Sequence, residues 1–393
     1  MRRAPLDGLR VLDLTRLLPG PLATQHLADY GADVIKVEDT GAGDYARAMG
    51  PGTDGMSHFY RLVNRGKQSL SLDLKHPAGR AVFLRLVESA EIVVEGFRPG
   101  VMEKLGLGFE VLCEHNPAVV MCSISGYGQD GPYAQRAGHD INYLGYAGVL
   151  DQTGTRDGQP ALCNLQIGDL LGGSMGALSG MLIALLDARA TGRGRHVDVS
   201  MSDVTLAHAI FPMAAVLARG TVAPRGGDLL TGGVPCYGVY RTADGRYMAV
   251  GALEEKFWHL LCDTLDRPDL KPAHLDRGEA GARAREALAA IFAERSQAEW
   301  CACFDAVDCC VTPVRTLEES LTDPHFAARG MVHGEAHARR FAPPLKLGPF
   351  APPPQRAAPA QGADDETILR ALGLDDDYIE GLLRDGVIQQ RTK

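Results

Sequence analysis

The feature that most constrains the fold is an alternation of two hydrophobic periods over the first 125 residues. Leu9–Leu14 has the pattern of a strand, Leu17–Tyr30 of an amphipathic helix, and Ala32–Glu38 of a second strand. Parallel neighbours need a long crossover between them, and a helix of that length supplies one. The pattern repeats, with a helix over Ala78–Glu88, a strand over Glu91–Glu95, a helical turn over Glu110–His115 and a strand over Ala118–Ser123. Such a chain covers both faces of its sheet with helices. The expected class is α/β, with a doubly wound, Rossmann-like parallel sheet in a large domain.

Past this region, Gly172, Gly176 and Gly180 recur every fourth residue, which places them on one helix face open to close backbone approach. A strand over Arg195–Met201 and a helix over Ser202–Leu217 follow. The texture changes at Gly226. Tyr237–Arg241 and Tyr247–Val250 flank the turn Ala243-Asp244-Gly245 as a hairpin, and helices are expected over Glu255–Leu265 and Arg283–Glu294. The chain of 393 residues thus divides into a large α/β domain over 1–220 and a smaller α+β domain over 226–325. Residues 330–393 form a connector, rich in Pro and Ala over Phe341–Gln361, and a helical tail that returns to the large domain.

Composition excludes several functions. Lys plus Arg number 40 against 49 Asp plus Glu, a net charge of -9, so there is no general basic face for nucleic acid. Nine cysteines, an odd number in a long chain, suit a reduced, cytoplasmic setting better than a disulfide framework. Cys301, Cys303, Cys309 and Cys310 lack the C-x2-C spacing of zinc sites, and no metal is expected there. Arg2 and Arg3 are followed by Asp7, Arg10, Asp13 and Arg16, which interrupt any signal-peptide core. The uncharged run Leu170–Leu186 is at the short limit for a bilayer span and, with its glycines, reads as a buried core helix.

Two motif matches have bland explanations. Gly126-Tyr127-Gly128-Gln129-Asp130-Gly131 fits the dinucleotide fingerprint, but Asp130 puts a negative charge in the loop and Pro132 follows, so a turn at the sheet edge is expected. Gly172-Gly173-Ser174-Met175-Gly176 fits a nucleophile elbow, which leaves a thioester hydrolase using Ser174 as one alternative. The strand that should lead into that serine is missing. A better constellation pairs His139, a titratable ring after Gly138, with Asp169, which stands before the glycine-rich helix and could cap it.

Several ordered segments resemble the CaiB/BaiF family, also called family III CoA-transferases. They include Leu6–Asp13, Pro19-Gly20-Pro21, Leu27–Glu38, Asn64-Arg65-Gly66-Lys67, Leu72–Lys75, Glu95–Gly100, Thr191–Gly194 and Val311–Val314. The segment Gly138-His139-Asp140-Ile141-Asn142-Tyr143 is similar to the α-methylacyl-CoA racemase branch, as is Gly251-Ala252-Leu253-Glu254. Asp39-Thr40 stands where many members carry a basic residue, and Asp169-Leu170 replaces the usual Asp-Phe of racemases.

The resemblance implies an enzyme without a tightly bound cofactor, acting on an acyl-CoA thioester as an interlocked homodimer. His139 and Asp169 would exchange the α-proton from opposite faces, with Glu254 supporting the His139 ring. Lys36, Arg65, Lys67, Arg98, Asp140 and Tyr143 would hold CoA, and amide groups of the helix after Asp169 would stabilise the enolate oxygen. The alternatives are a CoA-transferase that uses Asp169 as nucleophile and a non-catalytic CoA-binding protein. The acyl group is open among branched fatty, bile-acid-like, aryl-propionyl and short dicarboxylic chains.

Overall fold

The computed structural model describes residues 4–348, 350 and 356–389; Arg2, Arg3 and part of the proline-rich connector lie outside them. The chain forms two compact units. The larger takes in the chain up to Ala147, Cys163–His208 and the chain from Gly330 on, while the smaller comprises Gly148–Leu162 and Ala209–Arg329. The sequence reading had placed both Gly148–Leu162 and the helix after Ala209 in the large domain.

In the larger unit, β1 (Arg10–Asp13), β2 (Asp33–Glu38), β3 (Gln68–Ser71), β4 (Ile92–Glu95), β5 (Val120–Ser125) and β6 (Arg195–Ser200) form one sheet. Every pairing is parallel, and the order is β3-β2-β1-β4-β5-β6. Successive side chains of a strand point to opposite faces, so each face acquires its own core. Val11, Val34, Ile92 and Val120 pack with Leu27 of α1 (Pro19–Asp29) and Met181 of the glycine-rich helix. Leu12, Ile35, Val93 and Met121 face the other way, against Phe83 of α2 (Pro77–Val87) and Leu112 of α3 (Phe109–His115).

Further elements of this unit include α4 (Asp140–Tyr146), the glycine-rich α5 (Gly176–Thr191) and α6 (Met201–Ala207). A π-helical stretch, Gly168–Met175, runs directly into α5. Among the described residues this continuous helix, Gly168–Thr191, is long and apolar enough to cross a bilayer. Its glycines pack it into the unit instead. A Cβ on Gly172 would lie 2.5 Å from the Met201 carbonyl oxygen, and one on Gly180 would lie 2.7 Å from Val197.

The expected helix over Ser202–Leu217 is in fact two. α6 stops at His208 and α7 (Ile210–Arg219) begins after Ala209, whose ψ of 53° is not helical. Pro212 explains the break, for it has no N–H to give to the His208 carbonyl. The smaller unit then holds an antiparallel sheet of β7 (Tyr237–Arg241), β8 (Tyr247–Gly251) and β9 (Val311–Pro313), in the order β9-β8-β7. Its core joins Met248 and Val250 to Trp258 of α8 (Glu255–Thr264), Phe292 of α9 (Glu279–Phe292) and Trp300 of α10 (Gln297–Phe304). The chain finally returns to the larger unit. There α11 (Asp365–Ala371) and α12 (Asp376–Arg384) bury Ile368, Leu369, Ile379 and Leu382. The Asp364 and Asp365 carboxylates accept the Ser69 and Ser71 amides at 2.9 and 2.8 Å, covering part of edge strand β3.

Candidate active site

In this strand order, the chain leaves β1 and β4 in opposite directions at their C-terminal ends, which opens a crevice between them. A cavity of about 180 Å³ lies at this point, lined among others by Arg16, Gly96, Ile124, His139, Asp169 and Met201. The loop from β1 into α1 is tightly built. Leu17 takes the left-handed conformation at φ 65°, unusual for a residue with a branched side chain, and its N–H donates to Asp44 Oδ1 at 2.9 Å. Gly20 is required next to it, because a Cβ would come within 2.3 Å of the Thr15 side chain.

Asp169 sits inside the first turn of the π-helical stretch. It is not the cap that its sequence position suggested, since Ile167 before it is already helical at φ -65°, ψ -41°. Burial raises its carboxyl pKa from 3.8 to about 6; the Asp140 carboxylate adds to the rise, and the nearby His139 opposes it. Asp169 can therefore hold or release a proton near neutral pH. Its N–H donates to Asp140 Oδ1 at 3.1 Å and the Leu170 N–H to the Gln166 carbonyl at 2.8 Å. These amides are engaged within the protein, so they do not supply the enolate site expected from sequence.

His139 directly precedes α4 in extended backbone, φ -129° and ψ 177°, and its N–H donates to Asn142 Oδ1 at 3.0 Å. Its side chain is exposed at the cavity. The turn that carries it is fixed by Tyr143, whose buried hydroxyl donates to the Gly138 carbonyl at 2.5 Å. Gly126 and Gly138 make room for that ring, because a Cβ on either would approach Tyr143 Cε1 within 2.3 and 2.7 Å. Tyr143 and Asp140, both expected from sequence at the CoA, thus hold the His139 turn and the Asp169 backbone.

The basic residues proposed for the CoA phosphates separate into two kinds. Lys36 and Lys67 are fully buried. Lys36 pairs with Asp44 at 2.9 Å and donates to the Thr15 carbonyl, and Lys67 donates to Asp13, Asn64 and the Pro21 carbonyl, each within 2.9 Å. Neither ammonium group has exposed surface to offer a ligand. Arg65 is likewise buried against Asp29 at 2.6 Å and precedes β3, at the opposite end of the sheet from the cavity. Arg98 is different. It is exposed just past the C-terminal end of β4, on the cavity's side of the sheet.

Glu254 belongs to the smaller unit, where it is exposed and precedes α8; the larger unit's cavity is built without it. Ser174 is buried, and its hydroxyl donates to the Pro19 carbonyl at 2.7 Å, so it ties the helix to α1 and cannot act as an exposed nucleophile. Gly128 and Gly131, at φ 86° and 83°, lie in a turn that opens into no helix. Among the described residues no three His, Cys, Asp or Glu side chains gather as metal ligands. Burial pushes the Cys309 thiol up to about 11, away from the thiolate that metals prefer. Sequence reasoning missed Arg16, although its place at the C-terminal exit of the first strand of such a sheet was a usable signal.

A sequence profile described as CoA-transferase family III matches residues 6–365. Over 388 residues the chain is 38% identical to the alpha-methylacyl-CoA racemase of Homo sapiens, covering 98% of this chain and 97% of that protein. It is 32% identical to the succinyl-CoA:glutarate CoA-transferase of Mus musculus, covering 98% and 91%. The crystal structure of a CAIB/BAIF family protein from Brucella suis superposes with a TM-score of 0.83 at 29% identity, over 94% of this chain and all of that one.

Proposed function

The chain belongs to CoA-transferase family III, and within it we propose that this protein is a racemase that inverts C2 of a 2-methylacyl-CoA thioester. The observation that carries the reading is that His139 and Asp169 line one cavity, and that burial brings Asp169 to about 6, where it can exchange a proton near neutral pH. The thioester carbonyl makes the C2–H acidic. One group takes the C2 proton as the electron pair moves onto the thioester oxygen, and the other then delivers its own proton to the opposite face of the planar enolate. The pair carries a single proton in both directions: neutral His139 with protonated Asp169, or the imidazolium with the carboxylate. Arg98 stands on the side of the sheet where the CoA nucleotide would lie.

The second reading is CoA transfer, favoured by the similarity to the glutarate transferase. There Asp169 attacks the thioester carbonyl, CoA thiolate leaves, and a mixed anhydride forms. Incubating one C2 epimer in deuterated water separates the two. Deuterium at C2 with loss of optical purity and no acceptor acid is the expected result; CoA transfer to an added carboxylate without exchange would sink the racemase. His139→Ala should lower C2 exchange by about 10²- to 10⁴-fold, whereas a transferase would largely keep its activity.

The pH profile gives an independent check. A pair that works with one shared proton predicts a bell in kcat/KM, falling on the acid side when both groups are protonated and on the alkaline side when neither is. A nucleophilic Asp169 needs only its carboxylate, so activity would climb through about 6 and stay level above it. We also propose a homodimer, because Ile183 and Leu186 in the larger unit and Phe211 and Leu217 in the smaller are each exposed by more than half. Light scattering should return twice the chain mass. The supporting role of Glu254 is tested by Glu254→Gln, which should shift the acid limb of the bell if that carboxylate faces an imidazolium in the assembled enzyme.

A further inference from the structure

The proton-transfer scheme uses His139 and Asp169 but leaves Arg16, in the same cavity wall, without a task. Its placement is heavily determined. Nη2 donates to Asp39 Oδ2 at 2.6 Å and Nη1 to the Tyr45 hydroxyl at 3.0 Å. The guanidinium lies over the Tyr45 ring at 5.1 Å and the Phe97 ring at 5.7 Å. Asp39 is itself fixed, for its other oxygen accepts the Gly41 and Gly43 amides at 2.9 and 3.2 Å. The strained backbone at Leu17 and the tight contact at Gly20 hold the loop that presents Arg16. A guanidinium has five N–H donors, and among the described residues two are engaged. The other three are available to a ligand, and the side chain remains 28% exposed.

A fixed guanidinium with unused donors is suited to a planar anion that can accept two parallel hydrogen bonds. We propose that Arg16 binds a carboxylate carried by the acyl chain, so that the substrate is a short dicarboxylic 2-methylacyl-CoA. The inference rests on the racemase reading, which puts C2 between His139 and Asp169. The diphosphate of CoA is separated from the thioester by the pantetheine arm, about 10 Å or more when extended. A cavity of about 180 Å³ does not contain both. The anion nearest Arg16 is therefore on the acyl side. A carboxylate bound there would also bring negative charge towards Asp169, and so favour its protonated form.

The test compares 2-methylglutaryl-CoA with 2-methylhexanoyl-CoA, which replaces the carboxylate by an uncharged chain end, with C2 deuterium uptake as readout. The native enzyme should prefer the charged substrate by at least about 10-fold in kcat/KM, and Arg16→Gln should reduce that preference by about 10- to 100-fold, mainly through KM. Arg16→Lys should restore part of it. An unchanged preference in Arg16→Gln overturns the proposal. The matching S-acyl pantetheines, which lack the nucleotide, supply the control: a loss confined to CoA thioesters and equal for both acyl groups assigns Arg16 to the phosphates and also overturns it. If the native enzyme exchanges neither substrate, the racemase reading fails. Calorimetric Kd values for the two thioesters then still test Arg16 by the same ratio.

Discussion

Asp169→Asn should abolish turnover and leave the fold more stable than the native chain. Asparagine neither donates nor accepts the proton at C2, and it cannot attack a thioester, so both racemisation and CoA transfer should fall. General acid–base groups contribute about 10²- to 10⁴-fold, and the loss belongs at the upper end because each turnover needs this group. The gain in stability has a separate cause. An unfolded chain ionises this carboxyl above 3.8, while the folded protein holds the proton to about 6. Folding therefore favours the protonated form, and stability falls as pH rises between those values; by pH 7 the full cost is present. Two units correspond to about 3 kcal/mol, and partial exposure reduces this to about 1–2 kcal/mol. The amide removes that cost. Urea unfolding at pH 7 should show a higher midpoint for Asp169→Asn, with the difference vanishing below about pH 4. A lower midpoint at pH 7 would mean that the protein stabilises the carboxylate, contrary to the acid role.

The alternation of periods made five of the six strands of the large sheet readable to within two residues, whereas the edge strand β3, Gln68–Ser71, is too short and polar to stand out as an apolar run. That His139 and Asp169 meet at one cavity was legible for a different reason. His139 and Asp169 lie in loops and helix starts at the C-terminal side of that sheet, where chemistry in such folds is concentrated. What failed were inferences that needed burial. Lys36 and Lys67 sit in segments that also contain the glycines and polar residues of a ligand loop, and a lysine in sequence does not reveal whether it faces solvent or an internal carboxylate. The same gap hid Arg16, which sequence showed only as a charge that interrupts an apolar run. Pro212 was a visible breaker, yet the apolar run around it was continuous enough to read as one helix.

The buried ion network that displaced the two lysines from the CoA site should dominate the protein's stability. Asp13 has no exposed surface, and its oxygens accept from Lys67 Nζ at 2.8 Å, Thr24 at 2.6 Å, and the Thr15 amide and hydroxyl at 2.9 and 2.5 Å. Lys36 and Lys67 hold its carboxyl far below the usual range, overcoming the burial that by itself would raise it. For Lys67, burial outweighs the carboxylate it shares with Lys36, and its pKa falls to about 8. Asp13→Ala would leave two buried ammonium groups with Asp44 as their nearest remaining counter-ion among the charges named in this network. Removing one partner of a buried pair costs about 3–5 kcal/mol, even though Lys67 can shed its proton to limit the loss. The urea midpoint should drop accordingly at unchanged slope. Asp13→Ala combined with Lys67→Met should recover part of the loss, because the second change removes the stranded charge and keeps an apolar stem of similar length. The native contribution also has a defined pH window. Because the folded pKa of Asp13 lies below the unfolded one, the stabilisation is complete above about 4 and declines as pH falls towards the folded value. A double variant no more stable than Asp13→Ala would place the stability of this corner in the Thr15 and Thr24 hydrogen bonds and not in the ion pair.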